Sequence, residues 1–197
     1  MRVTALVGLA AIIFAFPGEA QQCQPPREMR PAIENLKFVD GAPGAAPPGW
    51  LLGPYWWNLK VVPAHEAQIV SGQACNGSRQ CATVHSITAN PGLCFLYQVV
   101  EATQYRGKRL IYRADVRTDV AQGSVARLLV RVHRTDCSTS FRDDMGNHPV
   151  TGGEWSPYEI QAPIASDARD IEFGMQLAGQ GAAWIDNISM TFEDRAR

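Results

Sequence analysis

Apolar and polar residues alternate with a period of two over much of the chain. The clearest stretch is Gln98 to Thr118. A short apolar strand ends at Val100, and a polar connection runs from Glu101 to Lys108 with one glycine, Gly107. Beyond it Leu110, Tyr112, Ala114 and Val116 point one way, and Ile111, Arg113, Asp115 and Arg117 point the other. Such alternation predicts a half-buried antiparallel strand. Ala126, Leu128, Val130 and Val132 alternate likewise with Arg127, Leu129, Arg131 and His133, and Ile171, Phe173, Met175 and Leu177 form a third set. Gln80 to Ile87, Cys94 to Val100 and Trp155 to Gln161 read as further strands. Ile33 to Val39 reads as the first strand and Ala183 to Phe192 as the last. In that last strand Trp184, Ile188, Met190 and Phe192 share a face that Asp186 interrupts. Asn90-Pro91-Gly92 reads as a turn returning one strand beside the last, and Gly179 with Gly181 as a hairpin. Asp40 to Gly49, Ser71 to Arg79 and Thr135 to Pro149 read as loops. Helical periodicity of useful length is absent from the mature chain. Many short strands with regularly spaced turns predict an all-β, antiparallel two-sheet β-sandwich.

The ends change the picture in one respect. Arg2, an apolar run from Leu6 to Phe16, and small residues at Gly18 and Ala20 predict a signal peptide over residues 1–20, cut after Ala20. The run is too short for a comfortable membrane span, and Gln21 and Gln22 stand where a lipoprotein signal wants small residues before Cys23. The expected location is secreted or periplasmic, in a bacterium, with no membrane span in the mature chain. Residues 21–32, polar and proline-rich, read as a flexible leader, and residues 33–194 as the β-sandwich domain.

Export gives meaning to the cysteines. Cys23, Cys75, Cys81, Cys94 and Cys137 all follow the expected cut, so disulfides are expected, with one bridge inside the trio Cys75, Cys81 and Cys94. The odd count leaves at least one cysteine out of intrachain pairs. No C-x-x-C or paired-histidine spacing supports zinc. A net charge of −1, from 18 Lys+Arg and 19 Asp+Glu, argues against nucleic acid as a partner. Asn76-Gly77-Ser78 fits a glycosylation sequon, which matters only on a eukaryotic secretory route.

A family resemblance rests on spaced residues: Asn35-Leu-Lys-Phe38, Pro48-Gly49-Trp50, Gln98-Val-Val with Tyr105-Arg-Gly-Lys108, and Ala114-Asp-Val-Arg-Thr118. Later come Asp143-Asp-Met145, Gly153-Glu-Trp155 with Tyr158, Ile171-Glu-Phe-Gly174 and Trp184-Ile-Asp186. In these the chain resembles the bacterial galactose-binding-like (jelly-roll) β-sandwich domains, relatives of carbohydrate-binding modules that also occur fused to regulators and enzymes. The resemblance implies a structural calcium. In related modules an acidic residue directly after the first-strand phenylalanine and a late aspartate help hold it. Here Val39 occupies the first place with Asp40 one residue on, and Asp186 matches the second, so Asn35, Asp40 and Asp186 are the implied ligands. Apart from that ion, no cofactor is required. The plainer reading of Asp186 is a hairpin cap.

Two sets of residues are candidates for a carbohydrate or related polar ligand. Trp50, Tyr55, Trp56 and Trp57 form the densest aromatic cluster; indoles stack on the C–H faces of sugars, and adjacent Trp56 and Trp57 on a strand would point to opposite faces. The second set is the outward polar residues Arg113, Asp115, Arg131 and His133, which could hydrogen-bond sugar hydroxyls or a carboxylate. The plainer reading is a solvated face with cross-strand ion pairs. Asp143, Asp144 and His148 could do acid–base chemistry, but neither G-x-S-x-G nor H-E-x-x-H occurs. Trp155 reads as a plug of the sandwich. The expectation is a non-catalytic binding module. The alternative is a module that docks on a secreted or envelope protein; a glycan or ester hydrolase ranks below both.

Overall fold

Strands form where one face of the chain can be buried and the other can stay polar, and the alternating stretches do this. The computed structural model describes residues 28–53, 64–150 and 152–194. In chain order the strands are β1 (Leu51–Gly53), β2 (His65–Ser71), β3 (Gln80–Ser86), β4 (Leu93–Glu101), β5 (Lys108–Val120), β6 (Val125–Arg134), β7 (Thr139–Asp143), β8 (Ser156–Pro163), β9 (Ala168–Ala178) and β10 (Gly181–Asp194). Among the described residues they make two antiparallel sheets of five strands. One has the order β1-β4-β9-β6-β7, the other β2-β3-β10-β5-β8; they are sheet A and sheet B below. The all-β sandwich expected from the pattern is the fold observed.

The core lies between the sheets. Sheet A contributes Ala126, Leu128, Val130 and Val132 from β6 and Ile171, Phe173, Met175 and Leu177 from β9. Sheet B contributes Leu110, Tyr112, Ala114 and Val116 from β5 and Ala183 and Ile185 from β10; all of these are buried. Each large apolar side chain buried this way stabilises the fold by about 1.5–3 kcal/mol. Phe173 sits at the centre. Trp50 packs edge-on against it at 5.8 Å and Tyr112 at 5.6 Å, and Phe38 lies 5.2 Å from Trp50.

Several local expectations are corrected. Ile33 to Val39 is a turn, not a strand: Asn35 and Phe38 have φ of 48° and 54°, and Phe38 drops its ring into the core. The buried Gln98 side chain holds this segment, accepting from Glu34 N–H and donating to the Glu34 carbonyl at 2.6 Å. Ahead of it Arg30 forms a parallel bridge to Val100, so the chain is pinned to the sandwich before residue 33. Asn90-Pro91-Gly92 does not make a hairpin: β3 belongs to sheet B and β4 to sheet A. Gly179 and Gly181 likewise carry the chain from β9 in sheet A to β10 in sheet B. The polar loop from Thr135 contains an edge strand, β7. A bulge between Asp186 and Ser189 reverses the parity of β10. Ala183 and Ile185 before it and Ile188 after it are buried, while Trp184 faces away from the core.

One bridge of the cysteine trio is seen, Cys75–Cys81. Cys137 is also disulfide-bonded. Cys94 is a buried free thiol, and burial pushes its pKa up to about 11, which makes it a poor nucleophile.

Candidate functional site

The outward residues of the central strands do not share one surface. Arg113 and Asp115 lie on β5 in sheet B, Arg131 and His133 on β6 in sheet A, so the two pairs face opposite sides of the molecule. Trp50, expected as a stacking platform, is only 8% exposed and belongs to the core. Its Nε1–H donates to the Asn35 carbonyl at 3.1 Å. Tyr55, Trp56 and Trp57 fall outside the described residues, as does the expected signal peptide.

The outward face of sheet A is the stronger candidate. Register places Arg131 opposite Glu172, His133 opposite Asp170, and Arg127 opposite Gln176 on β9; β4 adds Phe95 and Tyr97 on the other side. Arg131 Nη1 donates to Glu172 Oε1 at 3.0 Å, and His133 Nδ1 lies 2.7 Å from Asp170 Oδ1. Arg169 Nε donates to the other oxygen of Asp170 at 2.6 Å. The Arg131 guanidinium lies 5.3 Å from the Phe95 ring centre, and Phe95 and Tyr97 meet edge to face. Phe95, Tyr97, Arg131, His133 and Glu172 each have further partners besides these.

Burial distinguishes this face from a solvated sheet surface. Asp170 and Glu172 are 0% exposed, and Arg131 is buried. Acids removed from water are held only by close cationic partners. Burial, with the Glu172 charge beside it, pushes the Tyr97 phenol up to about 12, so Tyr97 keeps its hydroxyl proton at neutral pH. Between Tyr97 and Leu129 stands Gly174, where a Cβ would lie 2.1 Å from the Leu96 carbonyl oxygen. Glycine at this position lets β4 pass close beside β9, next to the Tyr97 ring.

Sequence reasoning found Arg131 and His133 on this face but missed Phe95, Tyr97, Asp170, Glu172 and Gln176. The signal was present: Asp170, Glu172 and Gln176 alternate with the apolar residues of β9.

Two of the implied calcium ligands, Asp186 and Asn35, are engaged by protein hydrogen bonds. Asp186 takes the Asn76 N–H on Oδ2 at 2.7 Å and the Asn187 N–H on Oδ1 at 2.7 Å, and the Ser78 hydroxyl lies 2.6 Å from Oδ1. Asn35 spends its amide on its own loop: Nδ2 donates to Pro48 O at 2.8 Å, and Oδ1 accepts from Asp40 N–H at 3.1 Å. Asp40 thus meets Asn35 through its backbone. Asn76, the sequon asparagine, donates its side-chain N–H to Asp115 at 2.8 Å. Asp143 and Asp144 are likewise engaged locally, Asp143 with Met145 N–H and Asp144 with Arg142, while His148 is exposed.

No family model matches the chain. Over 94 residues it is 33% identical to an uncharacterized HTH-type transcriptional regulator, YbfP, of Bacillus subtilis; the match takes in 47% of this chain and 32% of the regulator's length. Among solved structures it is similar to the CBM22-1 xylan-binding domain of Xyn10C from Paenibacillus barcinonensis, with 13% identity, TM-score 0.57, and 81% of this chain and 93% of that one covered. A second xylan-binding domain, from CBM 22, matches with 15% identity and TM-score 0.55 over 82% of this chain and 94% of that one. TmCBM61 in complex with β-1,4-galactotriose matches with 14% identity and TM-score 0.52 over 83% and 99%. The fold is therefore a two-sheet β-sandwich similar to that of these carbohydrate-binding modules. Among the described residues no helix is long and apolar enough to cross a membrane.

Proposed function

We propose that the protein binds a carbohydrate, without chemical turnover, on the outward face of sheet A. The observation that carries this reading is the buried Arg131–Glu172 and His133–Asp170 network beside Tyr97 on a sheet face that does not belong to the core. The Tyr97 ring stacks on a sugar, Arg127 bonds its hydroxyls, and the buried Glu172 holds Arg131 in one orientation. Support also comes from the xylan-binding and galactotriose-bound modules that share the fold. The chain is exported, to the periplasm or beyond; the Cys75–Cys81 bridge supports an oxidising compartment.

Calorimetric titration of the mature chain with xylohexaose and with β-1,4-galactotriose tests the reading. Binding of either, weakened about tenfold by Tyr97→Ala or Arg127→Ala, is the expected result. Absence of heat with these and with a wider polysaccharide panel would overturn it.

A further inference from the structure

Sheet B carries a second surface of different chemistry. On its outward face Trp184 of β10 stands in register with Arg117 of β5, and Trp155, just before β8, lies on the other side of the same arginine. The guanidinium carbon is 4.2 Å from the Trp184 ring centre and 5.5 Å from that of Trp155. Both indoles are half-buried, so Trp155 is not the plug of the sandwich that the sequence suggested. The loop closed by Cys75–Cys81 walls the row: Arg117 Nη2 reaches the Ala74 carbonyl at 3.5 Å, the long limit of a hydrogen bond.

Charge decides what this row accepts. Asp115, two residues before Arg117 on the same face, is taken up by Asn76 and Asn187, each donating at 2.8 Å. Asp186 holds the loop through Asn76 and Ser78. Asp119, two residues after Arg117, is exposed and makes no ion pair with it. Arg109 and Arg113, further along the same face of β5, each have a carboxylate partner, Glu193 and Glu159. Among the described residues Arg117 has none, and its buried Nε has no hydrogen-bond partner. Its Nε is buried and one Nη2 N–H is directed at the Ala74 carbonyl, so the Nη end of the guanidinium, clasped by the indoles, carries a charge with no carboxylate beside it. The exposed parts of the indoles offer flat apolar surface for a sugar ring.

We propose that the Trp184–Arg117–Trp155 row is a second saccharide site, and that it selects sugars bearing a carboxylate, such as uronic acid residues. The carboxylate pairs with the Nη end of Arg117, and the ring lies against an indole. The site shares with the sheet A face the premise of a saccharide ligand, but no residue. Two sites on opposite faces let one molecule hold two polysaccharide chains, which multiplies retention without new contacts.

The test is a titration of the isotope-labelled mature chain with trigalacturonate, followed by the indole N–H signals of Trp155 and Trp184; Tyr97 ring signals report sheet A in the same spectra. Both indole signals are expected to shift and saturate with trigalacturonate and to stay in place with neutral galactotriose. Arg117→Gln should weaken the acidic titration about tenfold, with Arg117→Lys in between because it keeps the charge but loses the planar guanidinium. Still indoles at millimolar trigalacturonate, or equal shifts with the neutral sugar, would overturn the proposal. If Arg117→Gln fails to fold, the wild-type shifts alone decide. Shifted indoles with a silent Tyr97 in every titration would remove the sheet A reading and leave this one standing; the reverse pattern would do the opposite.

Discussion

Arg131 and Glu172 face each other in register across β6 and β9, 3.0 Å apart, on a sheet surface that points away from the core, yet the carboxylate is fully buried. A buried pair adds little net stability over an apolar replacement, but breaking it strands a charge. Glu172→Gln is expected to lower unfolding stability by about 3 kcal/mol. The double variant Arg131→Met, Glu172→Leu should recover most of that loss. Urea unfolding measures both, and equal losses in single and double variants would contradict the coupling.

Trp50 touches Phe38 and Phe173 and sits inside the sandwich. Trp50→Ala should cost about 3–5 kcal/mol. Where the variant is still folded, its sugar affinity should match the native protein. A selective loss of affinity at unchanged stability would restore Trp50 as a contact residue.

His65 is buried at the start of β2. Burial lowers its pKa below 6.5, and nearby His85 adds to the effect. The unfolded chain then takes up a proton at a pH where the folded chain does not. Stability from this residue is complete above about pH 6.5 and is lost as pH falls from there to the lowered folded value. Denaturant midpoints measured from neutral to mildly acidic pH should decline, and His65→Gln should flatten part of the decline. An unchanged slope in the variant would exclude His65 as its source.

How much of this was readable beforehand depends on what fixes each feature. The inward sets of β5, β6 and β9 were legible because a strand with one buried face admits one register of side chains. Sheet membership was not, since alternation looks the same in either sheet. Hence the turn at Asn90-Pro91-Gly92 was read as a hairpin although it crosses between sheets. Trp50 was misread because its burial depends on Phe38 and Phe173, one of them more than a hundred residues away. Trp184 was misplaced because a single extra residue near Asn187, at φ 49°, reverses the alternation of β10. Arg131 and His133 were found as outward residues; their partners Asp170 and Glu172 emerge only from the β6–β9 register.

Gly174 lies in β9 between β4 and β6, and a Cβ there would also stand 2.7 Å from the Tyr97 Cα. Both obstacles are backbone, so neither can swing aside. Gly174→Ala should lower stability by about 3 kcal/mol or more and weaken sugar binding by displacing Tyr97. A variant of native stability would show that the strands separate more easily than their pairing implies.

The Cys75–Cys81 bridge closes a short loop, with the two cysteines six residues apart. Chain entropy assigns such a loop about 2 kcal/mol. Cys75→Ser with Cys81→Ser should lose that amount and release Asn76 from Asp115 and Asp186. Hydrogen exchange at the Asn76 amide should rise far more than exchange in β9; uniform change across the chain would argue against a local clamp.

The position of β10 has a consequence for how the molecule assembles. It lies between β3 and β5 and is the last strand of the described chain. Until it arrives, those two strands have no edge to share, and the first half of the sequence has no complete sheet to join. Folding therefore waits for the C-terminal strand, and a topology this rich in distant pairings belongs among the slow folders, on the order of milliseconds to seconds. Sheet B is completed only once β10 has been made.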